Sequence, residues 1–163
     1  MSHMLHAPRT AFDLHGMAGP QPMPPTVRDL HFPEGIPGFP TLRRATVTWE
    51  PQIRPFFTVE TQELDGVSFV CVEPMAVCPD YAVTLPDTLV EALGLRNPRE
   101  VWLFSLVTLA NTREEITANL MCPMVVNVRT GATRQLIRDD AEHLVHYRIW
   151  AGVQAALELA AVG

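Results

Sequence analysis

The chain has 163 residues, enough for one domain with its own core, and its 47% hydrophobic and 18% charged residues fit a globular rather than a disordered protein. Its formal net charge of −6 argues against direct nucleic-acid binding, because phosphates are neutralised by an excess of Lys and Arg. No apolar run reaches the roughly 18–20 residues of a membrane span, and the odd set Cys71, Cys78 and Cys122 argues against a disulfide framework and for a reducing compartment.

Residues 1–25 read as a leader outside the fold. Pro8, Pro20, Pro22, Pro24 and Pro25, with Gly16 and Gly19, resist both helix and central strand, so an extended, flexible state is expected. The opening Met1-Ser2-His3-Met4 resembles a cloning remnant, and nothing in the leader has the basic-then-apolar pattern of a signal peptide. Phe12, Leu14 and Met17 are apolar residues that could dock on the domain.

From Thr26 onward the texture changes to short runs of β-branched and aromatic residues separated by Pro, Gly, Asp and Asn. Val27–Phe32, Ala45–Trp49, Phe56–Glu60, Val67–Glu73, Val101–Leu109, Met124–Arg129 and Thr133–Arg138 are expected strands. Ala45, Val47 and Trp49 alternate with threonines, the pattern of one buried face, whereas Val101–Leu109 and Met124–Arg129 are continuously apolar, the pattern of two. Leu64-Asp65-Gly66-Val67 and Arg129-Thr130-Gly131-Ala132 are expected hairpin turns, because glycine supplies the positive φ they require. Asp87–Leu93 is an expected helix that opens after Pro86 and closes at Gly94. Trp150–Val162 is a second, with Gln154 and Glu158 one turn apart and a wide apolar face carrying Ile149, Val153, Leu157 and Ala161. That face either packs back on the domain or docks on a second subunit.

The chemistry-bearing residues do not assemble into a familiar signature. Cys71 and Cys78 lack the close spacing of a structural zinc pair, His143 and His146 have no matching cysteines, and no phosphate loop or nucleophile elbow is present. No metal, cofactor or catalytic group is expected. The rival reading is a small β-barrel enzyme with Cys122 or Asp80 in a cleft.

Two segments stand out. In Glu34-Gly35-Ile36-Pro37-Gly38-Phe39-Pro40, Pro37 fixes its own φ and the glycines permit a left-handed backbone, giving a rigid turn. Such a turn holds Ile36 and Phe39 in fixed directions, either as plugs for a barrel end or as an exposed hydrophobic contact. In Thr117-Ala118-Asn119-Leu120-Met121-Cys122-Pro123, Asn119 is suited to clasp nearby backbone across a bend.

Taken in order, these segments carry a resemblance. Phe32 to Phe39 is followed by Pro55-Phe56-Phe57, Phe69 with Pro74, Pro79-Asp80-Tyr81, Thr117 to Leu120 with Pro123, Gln135-Leu136-Ile137 and Tyr147-Arg148. The set resembles the FliW family of bacterial flagellar assembly factors over about Val27 to Trp150. The resemblance implies a mainly β, small antiparallel barrel-like domain over residues 26–150 with one or two short helices, a helical tail over 151–163, and no catalysis. It implies a cytoplasmic protein that binds newly made flagellin and, when free, binds and antagonises CsrA, a small RNA-binding repressor of flagellin translation. A monomer or weak homodimer is expected, with a self-associating structural subunit as a further alternative. Ile36, Phe39, Asp80 and Tyr81 are the residues expected near partner surfaces. Glu34, Gly35, Pro37, Gly38, Thr117, Asn119, Leu120 and Pro123 form the structural motifs. The family often carries an acidic residue after the tyrosine, where this chain has Ala82.

Overall fold

The computed structural model describes residues 12–15 and 27–162. In chain order the elements are β1 (Asp13–His15), β2 (Asp29–His31), β3 (Arg44–Thr48), β4 (Phe57–Thr61), β5 (Ser68–Val72), α1 (Pro74–Val77), β6 (Ala82–Thr84), α2 (Asp87–Ala92), β7 (Val101–Thr108), β8 (Thr117–Ala118), β9 (Met124–Asn127), β10 (Thr133–Gln135), β11 (Tyr147–Arg148) and α3 (Trp150–Val162). The main sheet runs β10-β9-β7-β5-β4-β3-β2, with every pair antiparallel. Its two ends meet where the His31 N–H donates to the Gly131 carbonyl at 3.0 Å, beside a bridge between His31 and Ala132. The sheet therefore curls into a nearly closed barrel, which removes the exposed strand edges that favour aggregation.

The expected strands reappear, trimmed at their ends. The β4–β5 hairpin turns at Gly66 with φ +76°, and the Val67 N–H donates to the Leu64 carbonyl at 3.0 Å. Alternation in β3 puts Ala45 and Val47 inside, with Phe57 and Val59 of β4 beside them in the same core. Strand β7 is apolar on both faces for a visible reason: Trp102 and Phe104 enter the barrel, while Leu103 packs with the helices outside. The barrel core is aromatic, and Phe57, wholly buried, lies 4.2 Å from Trp49, 5.4 Å from Trp102 and 5.8 Å from Phe104 between ring centroids. Tilted and edge-on pairs of this kind add to the area term.

The second core lies outside the barrel wall, where Val72, Leu103 and Val125 meet Leu85, Leu89 and Leu93 around α2 and Ile149 and Val153 of α3. Helix α3 packs on α1 so closely that Gly152 meets the Val77 carbonyl with no room for a side chain. Arg113 stacks over the first residue of the helix, its guanidinium 5.0 Å from the Trp150 ring centroid. Beyond Val153 the helix emerges, leaving Leu157 and Leu159 exposed.

The leader expectation needs correction at one place. Residues 12–15 are not outside the fold: β1 pairs antiparallel with β6, and Phe12 and Leu14 pack against the second core. Alternating apolar residues outweigh the proline-rich surroundings there, because an open strand edge is available to satisfy the backbone. The rest of the leader, Met17 and the opening four residues included, lies outside the described residues.

Candidate partner-binding face

The turn over Glu34–Pro40 is locked by its own backbone. The Gly35 N–H donates to the Phe32 carbonyl at 3.1 Å, and Ile36 and Phe39 exchange bonds of 2.8 and 3.3 Å. Gly35 adopts φ +67°, and a Cβ there would lie 2.6 Å from the Pro40 carbonyl oxygen, so no other residue fits. Pro37 and Gly38 form the exposed tip. Arg134 clamps Glu34 at 2.5 Å, and Arg43 donates to the Pro40 carbonyl at 2.7 Å.

This scaffold separates two side chains that look equivalent in the sequence. Ile36 is buried in the barrel interior and offers a partner no surface. Phe39 stays half-exposed, its ring edge-on to Phe69 at 5.2 Å between centroids.

The Pro79-Asp80-Tyr81 and Thr117 to Pro123 segments meet on the second core. Tyr81 is 2% exposed, and its hydroxyl donates to the Leu120 carbonyl at 2.7 Å. Burial pushes its phenol up to about 12, with Arg138 opposing the shift. The expectation of Tyr81 at a partner surface is thus corrected: it is a core tyrosine that ties β6 to the bend after β8. Asp80, next to it, is exposed.

The bend itself is satisfied residue by residue. Asn119 accepts from the Cys122 N–H at 3.0 Å, Gln135 donates to the Cys122 carbonyl at 2.9 Å, and Arg138 donates to the Met121 carbonyl at 2.6 Å. Leu120 is wholly buried and Pro123 buried, while Thr117 pairs with Thr108 and Arg148 across β8. The roles of Gln135 and Arg138 have no local sequence signal, since each acts on backbone more than ten residues away. The Tyr147 phenol is raised first by the neighbouring Cys78 thiol, then by burial.

Neither Cys122 nor Asp80 lines either of two grooves formed by described residues. The Cys122 sulfur lies 3.5 Å from the Arg138 carbonyl oxygen, and Asp80 faces solvent. A groove of about 420 Å³ runs beside β6, lined by Leu14, Val83, Leu136, Ile137 and the acidic pair Asp139 and Asp140, with neither Cys122 nor Asp80 on its walls. Among the described residues no group of three or more His, Cys, Asp or Glu side chains is arranged to hold a metal, and no helix is long and apolar enough to cross a membrane.

The family model for FliW protein matches residues 22–149, which contain the turn, the Tyr81–Leu120 tie and the whole barrel. The chain belongs to the FliW family. The flagellar assembly factor FliW of Clostridium tetani is 27% identical over 121 residues, 74% of this chain and 83% of that protein. The FliW of Pseudothermotoga lettingae is 31% identical over 74% of this chain and 77% of its own length. A crystal structure of the flagellar assembly factor FliW superposes with a TM-score of 0.70 at 27% identity, covering 76% of this chain and 86% of that one. The FliW barrel is thus kept, and β1 at residues 12–15 lies ahead of the matched span.

Proposed function

We propose that this protein is a non-catalytic flagellar assembly factor of the cytoplasm that binds flagellin and, when free of it, binds and antagonises CsrA. Membership in a family whose relatives carry the name flagellar assembly factor is the observation that supports this reading most. The structure is compatible with a docking role: a stiff barrel holds Phe39 at an exposed turn and Asp80 beside the Tyr81–Leu120 tie. A half-exposed aromatic on a rigid turn suits an interface anchor, because little conformational entropy is lost when it is buried. Partner exchange then needs only that the two complexes exclude each other, so that export of flagellin frees the factor by mass action.

A pull-down with flagellin and CsrA from the same organism tests the reading, with each partner expected to displace the other. Phe39→Ala sharpens it. Loss of an aromatic anchor costs about 2 kcal/mol or more, roughly thirtyfold in Kd, whereas loss of the Phe69 ring contact costs the fold about 0.5–1.5 kcal/mol beyond the ring's buried area. A folded Phe39→Ala protein with unchanged affinity for both partners would remove Phe39 from the interface.

A further inference from the structure

Strand β6 lies outside the main sheet and pairs, among the described residues, only with β1. The register sets Asp13 against Thr84, Leu14 against Val83 and His15 against Ala82. The attachment includes three ladder positions, a Leu85 N–H bond to the Phe12 carbonyl at 3.1 Å, and a Thr84 hydroxyl bond to the Asp13 carboxylate at 2.7 Å. Phe12 and Leu14, two apart and on one face of the segment, lie partly buried against the second core. An isolated two-stranded pairing of this length is marginal on its own.

A groove lies beside β1 and is closed on one side by that strand's own Leu14. The groove of about 420 Å³ has Leu14 on one wall and Val83, Leu136 and Ile137 on others. Ile137 is 67% exposed, between the buried Leu136 and the half-buried Arg138. Asp139 and Asp140, both exposed, line its rim beside Arg138, whose guanidinium lies 3.7 Å from Asp140 and leaves the rim with a net negative charge.

We propose that β6 and this groove form a strand-addition site for an extended segment of the protein client, and that residues 12–15 are its resident, displaceable competitor. The segment that fits has apolar side chains at alternate positions, like Phe12 and Leu14, and a basic residue at its flank to meet Asp139 and Asp140. Backbone ladder bonds supply affinity and the alternating pockets supply selectivity, as in other strand-addition sites. The leader lowers apparent affinity by the fraction of time the edge is covered, and a leader seated about nine-tenths of the time raises the client Kd about tenfold. The client half of this inference rests on the flagellin reading above; the edge itself does not.

The test has two arms and uses the full chain. In Leu14→Asp the leader loses its apolar hold while β6 is untouched; Thr84→Ala, which removes only the bond to Asp13, is the milder companion should the first variant misfold. A fluorescent synthetic peptide of residues 8–19 is titrated against wild type and both variants, and flagellin is titrated separately. The expected result is peptide binding about tenfold tighter to Leu14→Asp than to wild type, a smaller gain for Thr84→Ala, and displacement of the peptide by flagellin. Peptide binding that is absent, or equal across the three folded chains, overturns the strand-addition site. Flagellin that binds without displacing the peptide overturns the client assignment, as does a peptide site filled instead by the leader of a second copy, seen as a wild-type dimer in light scattering. Flagellin silent toward every chain overturns the functional reading alone, and the peptide arm still decides the edge.

Discussion

Glu73 and Glu100 flank the paired strands β5 and β7 yet titrate in opposite directions, and partners make the difference. Glu100 accepts the Arg96 N–H at 2.7 Å and the Arg129 and Arg96 guanidiniums at 2.8 and 3.0 Å, which holds its carboxyl at about 2 against an ordinary 4.5. A carboxyl depressed on folding stabilises above its unfolded value and loses that contribution as pH falls through its folded one. Glu100→Gln is therefore expected to lower Tm at pH 7, with the gap to wild type closing between about pH 4.5 and pH 2. A gap independent of pH would assign the loss to packing. Glu73 has, among the described residues, only the Trp102 indole N–H, at 2.8 Å, and burial raises its carboxyl above 4.5. The sign reverses: the cost is absent below the unfolded value and grows as pH rises through the folded one. Glu73→Gln keeps an acceptor for Trp102 and is expected to raise Tm at pH 8 and leave it unchanged at pH 4. Ile36 and Tyr81 teach a related lesson at this scale. The stiffness of the 34–40 turn is legible in its glycines and prolines, but which side chain turns inward is decided by the barrel interior and Phe69. Tyr81 is buried by a carbonyl at Leu120, 39 positions away, and no local pattern announces that.

Among the elements, length governs what the sequence discloses. The seven expected strands and both expected helices are present, because each lies in a run of at least about five residues in which alternation, helical periodicity or a glycine stop registers, even where only three residues pair, as in β2 and β10. The elements that were not expected, β1, β6, β8, β11 and α1, have two to four residues apiece, too few for any period. Strand β6 is further masked by Pro79 and Pro86 on either side, and β1 by the leader composition. Helix α3 runs over the predicted Trp150–Val162, but its docking depends on one glycine. Gly152 faces the Val77 carbonyl of α1, and any Cβ must push the helices apart. Gly152→Ala is expected to destabilise the fold by about 1–3 kcal/mol despite the gain in helix propensity. Denaturant unfolding measures it, and a stabilised variant would mean that α3 is not seated there. Of the face expected to be buried, Ile149 and Val153 pack inward while Leu157 and Ala161 remain exposed, so only the first half of the helix closes the second core.

At the scale of the molecule, one barrel wall carries both cores. The aromatic interior around Phe57 makes the barrel stiff, and the outer core fastens the Tyr81–Leu120 tie, α2 and α3 to it. The turn bearing Phe39 and the groove beside β6 belong to different cores, so the two lie on separate parts of the molecule. A net charge of −6 repels acidic partners and attracts basic ones, so any electrostatic steering acts toward basic surfaces. The central claim is that this framework binds a protein client and leaves its covalent structure alone. Calorimetric titration of the full chain with purified flagellin, followed by mass measurement of the recovered flagellin, tests it directly. The account predicts a single saturable site of micromolar or tighter affinity and an unchanged flagellin mass; heat that never saturates at tens of micromolar, or a flagellin altered in mass, would contradict it.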